Sequence, residues 1–324
     1  MSGFRARHLT IVGLGLMGGS LALALRPYAE KITGVELDEA ARQYALEQDM
    51  VDYATDDLRS GVAEADAVLL ATPVRTIIRL VRDRIGSYLR SNTLLIDIGS
   101  TKEDICMAMG TLPIGVQAIG GHPMTGKEAN GIQASDAALY RGRPFVLCPT
   151  RRTTPAARLR ALQLVEALQA EAIEMDAHRH DRVVAAISHL PYLLSAALVA
   201  TVAEEGEHDD AVWRLAAGGF RDMSRLAASD LNMIGDILST NTQAVATLLA
   251  LFRMQLAMLE ARLISREDAR LSELLEPIRE ARLAWVKSLE AKGESAAQPT
   301  PINGVAAMKR AQTDNEVTYD EMKR

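Results

Sequence analysis

A histidine stands in a short stretch of the sequence where its side chain could accept a proton. His122 lies in GGHPMTGKE (residues 120–128), directly after a predicted strand. The two glycines before it and the proline after it indicate a loop. A neutral imidazole near pH 7 can take a proton from a reacting hydroxyl group. The flanking residues therefore favour a functional role for His122, although a lone histidine is more often a structural residue.

A second polar stretch, DIGSTK (residues 97–102), follows the neighbouring predicted strand. Ligands of open α/β sheets bind outside the carboxyl ends of the strands. Ser100 and His122 are therefore expected to face one ligand from neighbouring loops. Two other roles stay open, because Ser100 suits the N-cap of the next helix and Lys102 suits a solvated position in its first turn.

The sequence GLGLMG (residues 13–18) has the spacing of a dinucleotide-binding turn. It follows a predicted strand and opens a predicted helix, which is the context that this motif requires. Gly13 permits the tight turn, Gly15 lets the backbone approach a pyrophosphate, and Gly18 lets the helix pack on the strand. The pyrophosphate would lie at the helix N-terminus. The predicted cofactor contacts in this segment are Gly13, Gly15, Leu16, Met17 and Gly18.

An acidic residue at the end of the second predicted strand bears on the choice of cofactor. Glu36 lies 18 residues after Gly18 and can accept hydrogen bonds from the adenosine ribose hydroxyls. Its carboxylate would repel a 2′-phosphate, so NAD is predicted rather than NADP. Asp38 is the alternative if the strand ends two residues later. Thr72, in the loop after the third predicted strand, is expected either beside the nicotinamide-side ribose or in an ordinary capped turn.

These residues lie at the ends of elements that alternate between strand and helix. Apolar runs without polar alternation suit strands that are covered on both faces. The predicted strands are residues 8–13, 31–36, 66–71, 93–98, 115–120 and 144–148. The predicted helices between them are residues 16–25, 38–48, 74–84 and 102–109. This order indicates an α/β fold, a doubly wound parallel sheet of the Rossmann type.

The 324 residues divide into three predicted regions. Residues 1–150 form the dinucleotide-binding domain, and residues 151–291 form an all-helical substrate and dimerisation domain that contains one short strand at 171–175. The helical pattern breaks at Gly218 and Gly219. Residues 292–324 are polar with few large apolar side chains, which is typical of a disordered tail.

Composition argues against several classes of protein. The net charge is −6 and no basic stripe is visible, so nucleic-acid binding is not expected. No run of 18 apolar residues occurs, so no membrane span is expected. Cys106 and Cys148 are far apart and in no metal-ligand spacing, which predicts no metal site and fits a reducing cytoplasm.

Four segments together resemble the prephenate/arogenate dehydrogenase family of tyrosine biosynthesis. They are DIGSTK, GGHPMTG, SHLPY (residues 188–192) and GGFRDMSRLA (residues 218–227), and they occur with the GLGLMGGSLA opening in the family's order. The resemblance implies a Rossmann domain joined to a helical domain that forms a homodimer. It implies NAD-dependent oxidative decarboxylation of prephenate to 4-hydroxyphenylpyruvate, or of arogenate to tyrosine.

The resemblance also implies roles for single residues. His122 matches the catalytic histidine, and Ser100 matches a serine that hydrogen-bonds the substrate hydroxyl or orients His122. His189 is placed at the substrate, with a satisfied core histidine as its alternative. Arg221 matches an arginine that binds a substrate carboxylate through its planar guanidinium. Arg225, one turn later, is expected in a surface ion pair. His178 and His180, which precede Asp181, are expected to be structural.

Two other functions remain to be weighed. β-Hydroxyacid dehydrogenases share the glycine motif and a helical dimerisation domain, but they place a catalytic lysine on the long inter-domain helix. Residues 178–203 contain no lysine, which argues against that function. A non-catalytic NAD sensor is the other alternative, and the polar motifs at the strand ends argue against it.

Overall fold

The computed structural model describes residues 3–266 and 268–291, and its centre is one eight-stranded sheet. The strands are β1 (Ala6–Val12), β2 (Ala29–Val35), β3 (Tyr53–Thr55), β4 (Ala67–Leu70), β5 (Leu94–Asp97), β6 (Gln117–Pro123), β7 (Pro144–Pro149) and β8 (Glu171–Glu174). Their order is β3-β2-β1-β4-β5-β6-β7-β8. Strands β1 to β6 are parallel, in the doubly wound order of a dinucleotide-binding sheet.

The two strands at the end of the sheet depart from the predicted parallel arrangement. β7 pairs antiparallel with β6, and β8 then pairs parallel with β7. The connection between β6 and β7 contains no α-helix but a 3₁₀ turn at Ile132–Ala134. An antiparallel pair needs no helical crossover, whereas a parallel pair does. The predicted fold class is confirmed, and the antiparallel pairing of β7 is a correction within it.

Six helices accompany the sheet. They are α1 (Leu16–Leu25), α2 (Glu39–Glu47), α3 (Leu58–Val62), α4 (Val74–Asp83), α5 (Glu103–Met109) and α6 (Pro155–Ala167). Side chains alternate across a strand, so Leu69 packs into one hydrophobic core while Val68 and Leu70 pack into another. Because both cores bury the strand side chains, the central strands are apolar throughout their length.

Two short elements differ from the sequence prediction. β3 and α3 are not predicted, because three to five residues are too few to show a hydrophobic period. α6 packs Leu164 and Val165 into the same core as the sheet. With β8 paired to β7, the sheet layer extends to Glu174, beyond the predicted limit at residue 150.

Helices make up the rest of the described chain. They are α7 (Ala177–Val184), α8 (Leu190–His208), α9 (Ala211–Leu215), α10 (Gly218–Ser224), α11 (Leu231–Thr240), α12 (Thr242–Ser265) and α13 (Asp268–Ala291). A break in the helical pattern is predicted at Gly218 and Gly219. In the structure the break lies just before Gly218, where α10 begins. α7 and α8 are joined by a π-helical turn, Ala185–His189, which carries His189. Pro191 follows in the first turn of α8, where its missing N–H is tolerated.

The chain divides into two compact units, Met1–Phe252 and Arg253–Arg324. In the second unit, α13 contains Pro277 and has no buried residue. Two helical stretches, Ala177–Gly206 and Thr242–Ser265, are long and apolar enough to cross a membrane by length and composition alone. Both stretches contain a few polar residues, so neither is the uninterrupted run of apolar residues on which the sequence prediction was based. The predicted tail, residues 292–324, lies outside the described residues.

Candidate active site

The carboxyl ends of β5 and β6 are joined by a buried carboxylate. Asp97, the last residue of β5, accepts hydrogen bonds from the backbone N–H of Gly99 at 2.8 Å and of Gly121 at 3.2 Å. Gly121 is the residue before His122. The same carboxylate therefore holds both the Ser100 segment and the strand end that carries His122.

Asp97 is paired with Lys102, and both side chains are fully buried. Burial raises the pKa of the Asp97 carboxyl, and the Lys102 ammonium acts in the opposite direction. The prediction that Lys102 is a solvated first-turn residue is therefore wrong. A lysine can be buried only when a partner compensates its charge, and here the partner lies five residues earlier in the chain.

The N-terminus of α5 is capped by a residue from another helix. Asp181 of α7 accepts hydrogen bonds from the backbone N–H of Lys102 at 2.7 Å and of Glu103 at 2.9 Å. The cap position is Lys102, without a side-chain cap of its own. Ser100 is therefore not the N-cap that its residue type suggested. It is partly buried in the segment that Asp97 and Asp181 anchor from either side.

His122 is hydrogen-bonded to a second histidine. Its Nδ1 lies 2.8 Å from Nε2 of His180, and the His122 ring keeps some exposure to solvent. Burial lowers the pKa of His122 well below its usual value, and His180, Lys102 and His189 lower it further. The imidazole is thus neutral near pH 7, as a proton acceptor must be.

His180 links His122 to Asp181 through hydrogen bonds. Nδ1 of His180 lies 2.7 Å from Oδ1 of Asp181, and both side chains are buried. The neighbouring histidine of the pair, His178, is instead exposed and contacts Glu103 at the surface. Sequence reasoning took both histidines to be structural. The only sequence feature that could have indicated the role of His180 is the aspartate that follows it. That feature does not show that His180 is buried while His178 is exposed.

His189 is placed beside the same cluster by an asparagine. The Asn241 side-chain nitrogen lies 2.7 Å from the backbone oxygen of Asp181 and 3.2 Å from Nδ1 of His189. His189 is buried, and burial lowers its pKa to about 4. The structure thus brings His122 and His189 into one network, and Asn241 is a member that the sequence did not indicate.

The two candidate arginines differ in their surroundings. Arg221 is exposed, and its recorded ion pair is a 3.5 Å contact with Asp222 beside it in sequence. Arg225 makes the expected surface ion pair, 2.6 Å from Glu128. Glu128 lies in the loop after β6, six residues after His122, so this pair connects the turn after α10 to that loop. Arg221 as the carboxylate ligand stays a prediction.

The glycine turn between β1 and α1 fits a dinucleotide. Gly13 has a positive φ of 95°, and a Cβ there would lie 2.7 Å from the oxygen of Ala71. A Cβ on Gly18 would lie 1.8 Å from the oxygen of Gly13. A Cβ on Gly15 would meet no protein atom within 4 Å, which leaves that backbone open to a phosphate. Leu16 and Met17 form the first turn of α1.

The acid predicted to select the cofactor lies against this turn. Glu36 follows β2 and accepts hydrogen bonds from the backbone N–H of Leu14 at 2.8 Å and of Leu37 at 2.7 Å. Asp38, the alternative, accepts from Ala40 and caps α2. The arrangement favours Glu36 as the residue that meets the adenosine ribose.

Thr72 lies where the third loop approaches the glycine turn. Its methyl carbon would lie 2.9 Å from a Cβ on Gly13. Its hydroxyl is buried and has no hydrogen-bond partner within the described part of the chain. Pro73 rather than Thr72 occupies the N-cap of α4. A buried, unsatisfied hydroxyl beside the glycine turn favours a cofactor contact over a capped turn.

Comparison with known proteins gives the family of this site. A family model described as the prephenate dehydrogenase nucleotide-binding domain matches residues 21–174, and one described as its dimerization domain matches residues 176–279. Prephenate dehydrogenase from Bacillus subtilis (strain 168) is 34% identical over 240 residues, 73% of this chain. The match spans 65% of that relative's own length.

Two solved structures resemble the chain over most of its length. Arogenate dehydrogenase from Synechocystis has a TM-score of 0.74 and 30% identity, covering 86% of this chain and 100% of that one. Prephenate dehydrogenase from A. aeolicus, in complex with hydroxyphenyl propionate and NAD+, has a TM-score of 0.78 and 28% identity, covering 86% and 98%.

The fold and the site define a dinucleotide-binding oxidoreductase with a helical second domain. Because the two family models together match more than half of its residues, the chain belongs to the prephenate dehydrogenase family. The resemblance inferred from the sequence motifs is confirmed.

Two glycine substitutions should separate folding from cofactor binding. Gly18→Ala places a methyl group on the oxygen of Gly13, and we expect it to lower the free energy of unfolding by about 1–3 kcal/mol. Gly15→Ala meets no protein atom, so the melting temperature should stay unchanged. Its methyl group should instead weaken NAD binding roughly tenfold, about 1.4 kcal/mol. Thermal melts and titration calorimetry distinguish the two. Equal loss of stability in both variants would contradict this account of the turn.

Stability should fall on the acid side of neutrality. Burial lowers the pKa values of His122 and His189 in the folded chain, the latter to about 4, whereas an unfolded histidine titrates near 6.5. Between about pH 6.5 and 4 the unfolded chain therefore binds more protons, and the free energy of unfolding decreases as the pH falls. We expect a lower urea midpoint at pH 5 than at pH 7. His189→Gln should show a smaller decrease, and an undiminished one would argue against His189 as a contributor.

Proposed function

We propose that this chain is the NAD-dependent enzyme that converts prephenate to 4-hydroxyphenylpyruvate in tyrosine biosynthesis. The observation that carries the proposal is His122, a neutral imidazole at the carboxyl end of β6, in the sheet whose glycine turn follows β1. The nucleotide-binding family model and the NAD+ complex of the A. aeolicus relative support NAD as the cofactor.

The reaction requires one proton acceptor and one hydride acceptor. NAD, when bound at the glycine turn, would supply the acceptor for the hydride that leaves the carbon bearing the ring hydroxyl. The ring carboxylate leaves as carbon dioxide, its bonding electrons enter the ring, and the ring becomes aromatic. His122 takes the hydroxyl proton as the carbonyl character at that carbon develops, and it returns the proton to the ring oxygen when the ring becomes aromatic. General base catalysis of this kind contributes typically about 10²–10⁴-fold in rate.

The remaining candidates bind and orient the substrate. Ser100 hydrogen-bonds the same hydroxyl from the segment that Asp97 holds beside Gly121. His189 lines the substrate side of the histidine cluster. Arg221 binds a substrate carboxylate, for which a guanidinium fork is suited.

Arogenate is the alternative substrate, and the chain's resemblance to the Synechocystis enzyme keeps it open. Arogenate carries an ammonium group where prephenate has a keto group, so an unpaired acid near the side chain would favour it. Residues 120–128 contain one acid, Glu128, and Arg225 already pairs with it at 2.6 Å. The paired charge favours prephenate.

A β-hydroxyacid dehydrogenase is the less favoured alternative. In those enzymes the catalytic group is a lysine on the long inter-domain helix. In this chain the helical run from α7 to α8 contains His180 and His189 at the site and no lysine between residues 178 and 203.

A homodimer in the cytoplasm is the state that we propose for the protein. In the second compact unit, α13 buries none of its residues and exposes Leu275, Ile278, Leu283 and Trp285. Apolar surface of this extent marks an association site. The match to the dimerization domain of the family favours a second copy of this chain, rather than lipid, as the partner of the apolar helices.

The first assay follows NADH formation with NAD and either prephenate or arogenate, and repeats both with NADP. We expect turnover with NAD and prephenate. His122→Ala should lower kcat by about 10²–10⁴-fold, because the hydroxyl proton then lacks its acceptor. NAD affinity should change little, since His122 lies outside the glycine turn.

The control for this assay is His178→Ala, which removes an exposed imidazole from the same region and should leave kcat unchanged. Preferred turnover of arogenate would replace the substrate but keep the reaction class. Absence of turnover with both substrates, in folded protein that binds NAD, would contradict the proposed function.

The proposed dimer predicts a definite mass in solution. Light scattering at micromolar concentration without detergent should give twice the chain mass of 35.1 kDa. Trp285→Glu, which places a charge on the exposed face of α13, should shift the protein toward monomer. A monodisperse monomer of the unmodified chain, or a requirement for detergent, would rule out the proposed dimer.

A further inference from the structure

We propose that His180 and Asp181 are positioning residues that keep the proton of His122 on Nδ1 and so leave Nε2 as the base. Its consequence for catalysis rests on the proposed function. Its central claim, which nitrogen of His122 carries the hydrogen, stands on geometry alone and can be tested without substrate.

The first step is the direction of the hydrogen bond between His180 and Asp181. The Asp181 carboxylate accepts from the backbone N–H of Lys102 at 2.7 Å and of Glu103 at 2.9 Å. A carboxylate oxygen accepts hydrogen bonds, and the imidazole nitrogen beside it donates its N–H. Since its Oδ1 lies 2.7 Å from Nδ1 of His180, that nitrogen must carry a hydrogen.

The second step carries this direction to His122. A neutral imidazole has one N–H, so a His180 that donates through Nδ1 must accept through Nε2. Nε2 of His180 lies 2.8 Å from Nδ1 of His122. Nδ1 of His122 is therefore the donor, and its Nε2 keeps a free lone pair. The tautomer of one histidine is thus set by the hydrogen bond of the other.

The third step is that the hydrogen bonds among His122, His180 and Asp181 cannot readily rearrange. His180 is 1% exposed and Asp181 is 2% exposed, so water does not compete for their hydrogen bonds. Asn241 holds the backbone oxygen of Asp181 at 2.7 Å. With the carboxylate also capping α5, Asp181 can neither turn away nor exchange partners without exposing buried donors.

The same arrangement supports the reaction after the proton arrives. His122 becomes an imidazolium when Nε2 takes the substrate proton. Its Nδ1 hydrogen bond to His180 then connects it to the buried carboxylate of Asp181. Burial, His180, Lys102 and His189 lower the pKa of His122 and so disfavour that cation. The Asp181 carboxylate lies at the end of the His122–His180 hydrogen bonds, and Asp97 compensates Lys102.

The direct test is the ¹⁵N NMR spectrum of histidine side chains in the full-length protein, with the His122 signals assigned by their loss in His122→Asn. We expect a protonated Nδ1 and an unprotonated Nε2 for His122. In His180→Phe, which removes the acceptor, the Nε2–H form should appear. Finding His122 of the unmodified protein already protonated on Nε2 would overturn the proposal.

The kinetic test compares two substitutions of His180. His180→Phe should lower kcat about 10²-fold with little change in the KM for prephenate, because binding is kept and the base is misprotonated. His180→Gln, whose side-chain oxygen can accept from Nδ1 of His122, should recover at least about tenfold of this loss. Melting temperature and NAD affinity verify that both variants fold.

The matched control is His178→Phe, two residues earlier on α7 and exposed, which should leave kcat unchanged. Equal activity of His180→Phe and His178→Phe would overturn the kinetic part of the proposal. If the unmodified enzyme turns over neither prephenate nor arogenate, the proposed function fails, while the NMR result still decides the tautomer.

Discussion

A fully buried ion pair between Asp97 and Lys102 fixes the place where the strands of the active site end. Removing two charges from water costs several kcal/mol for each ion, and only close pairing with further hydrogen bonds offsets that cost. Asp97 obtains those bonds from the backbone of Gly99 and Gly121. Its stabilisation is therefore available only when β5 and β6 end side by side, which places the Ser100 loop next to the end of β6 that carries His122.

A second buried carboxylate, Asp181, joins the helical part of the first unit to this sheet edge. It holds α5 by its N-terminus and His180 by its ring, and Asn241 holds its backbone. Each carboxylate thus serves several donors from different elements. Loss of one donor would let the carboxylate move and would weaken its hydrogen bonds to the other donors. The contacts of the site are therefore cooperative rather than independent.

The parts of the molecule that sequence reasoning predicted are those whose cause is local. The strands of the first half were predicted within about three residues, because each is a short apolar run bounded by turn residues. His122 stood out through its own neighbours. The roles of Lys102 and His180 could not be predicted. The partner of Lys102 lies only five residues earlier, but the burial of the pair depends on tertiary packing, and His180 contacts His122 across 58 residues. The antiparallel β7 likewise depends on tertiary pairing.

The π-helical turn between α7 and α8 controls the phase of one helix relative to the other. An α-helix advances about 100° per residue, and a π-helical turn contains one residue more than an α-turn. The extra residue in Ala185–His189 therefore rotates the faces of α7 and α8 with respect to a continuous helix. With a regular α-turn, His180 and His189 could not both point toward the site. A single-residue deletion in this turn would restore a regular helix and keep the present phase, because the two histidines would then lie eight residues, about 80°, apart.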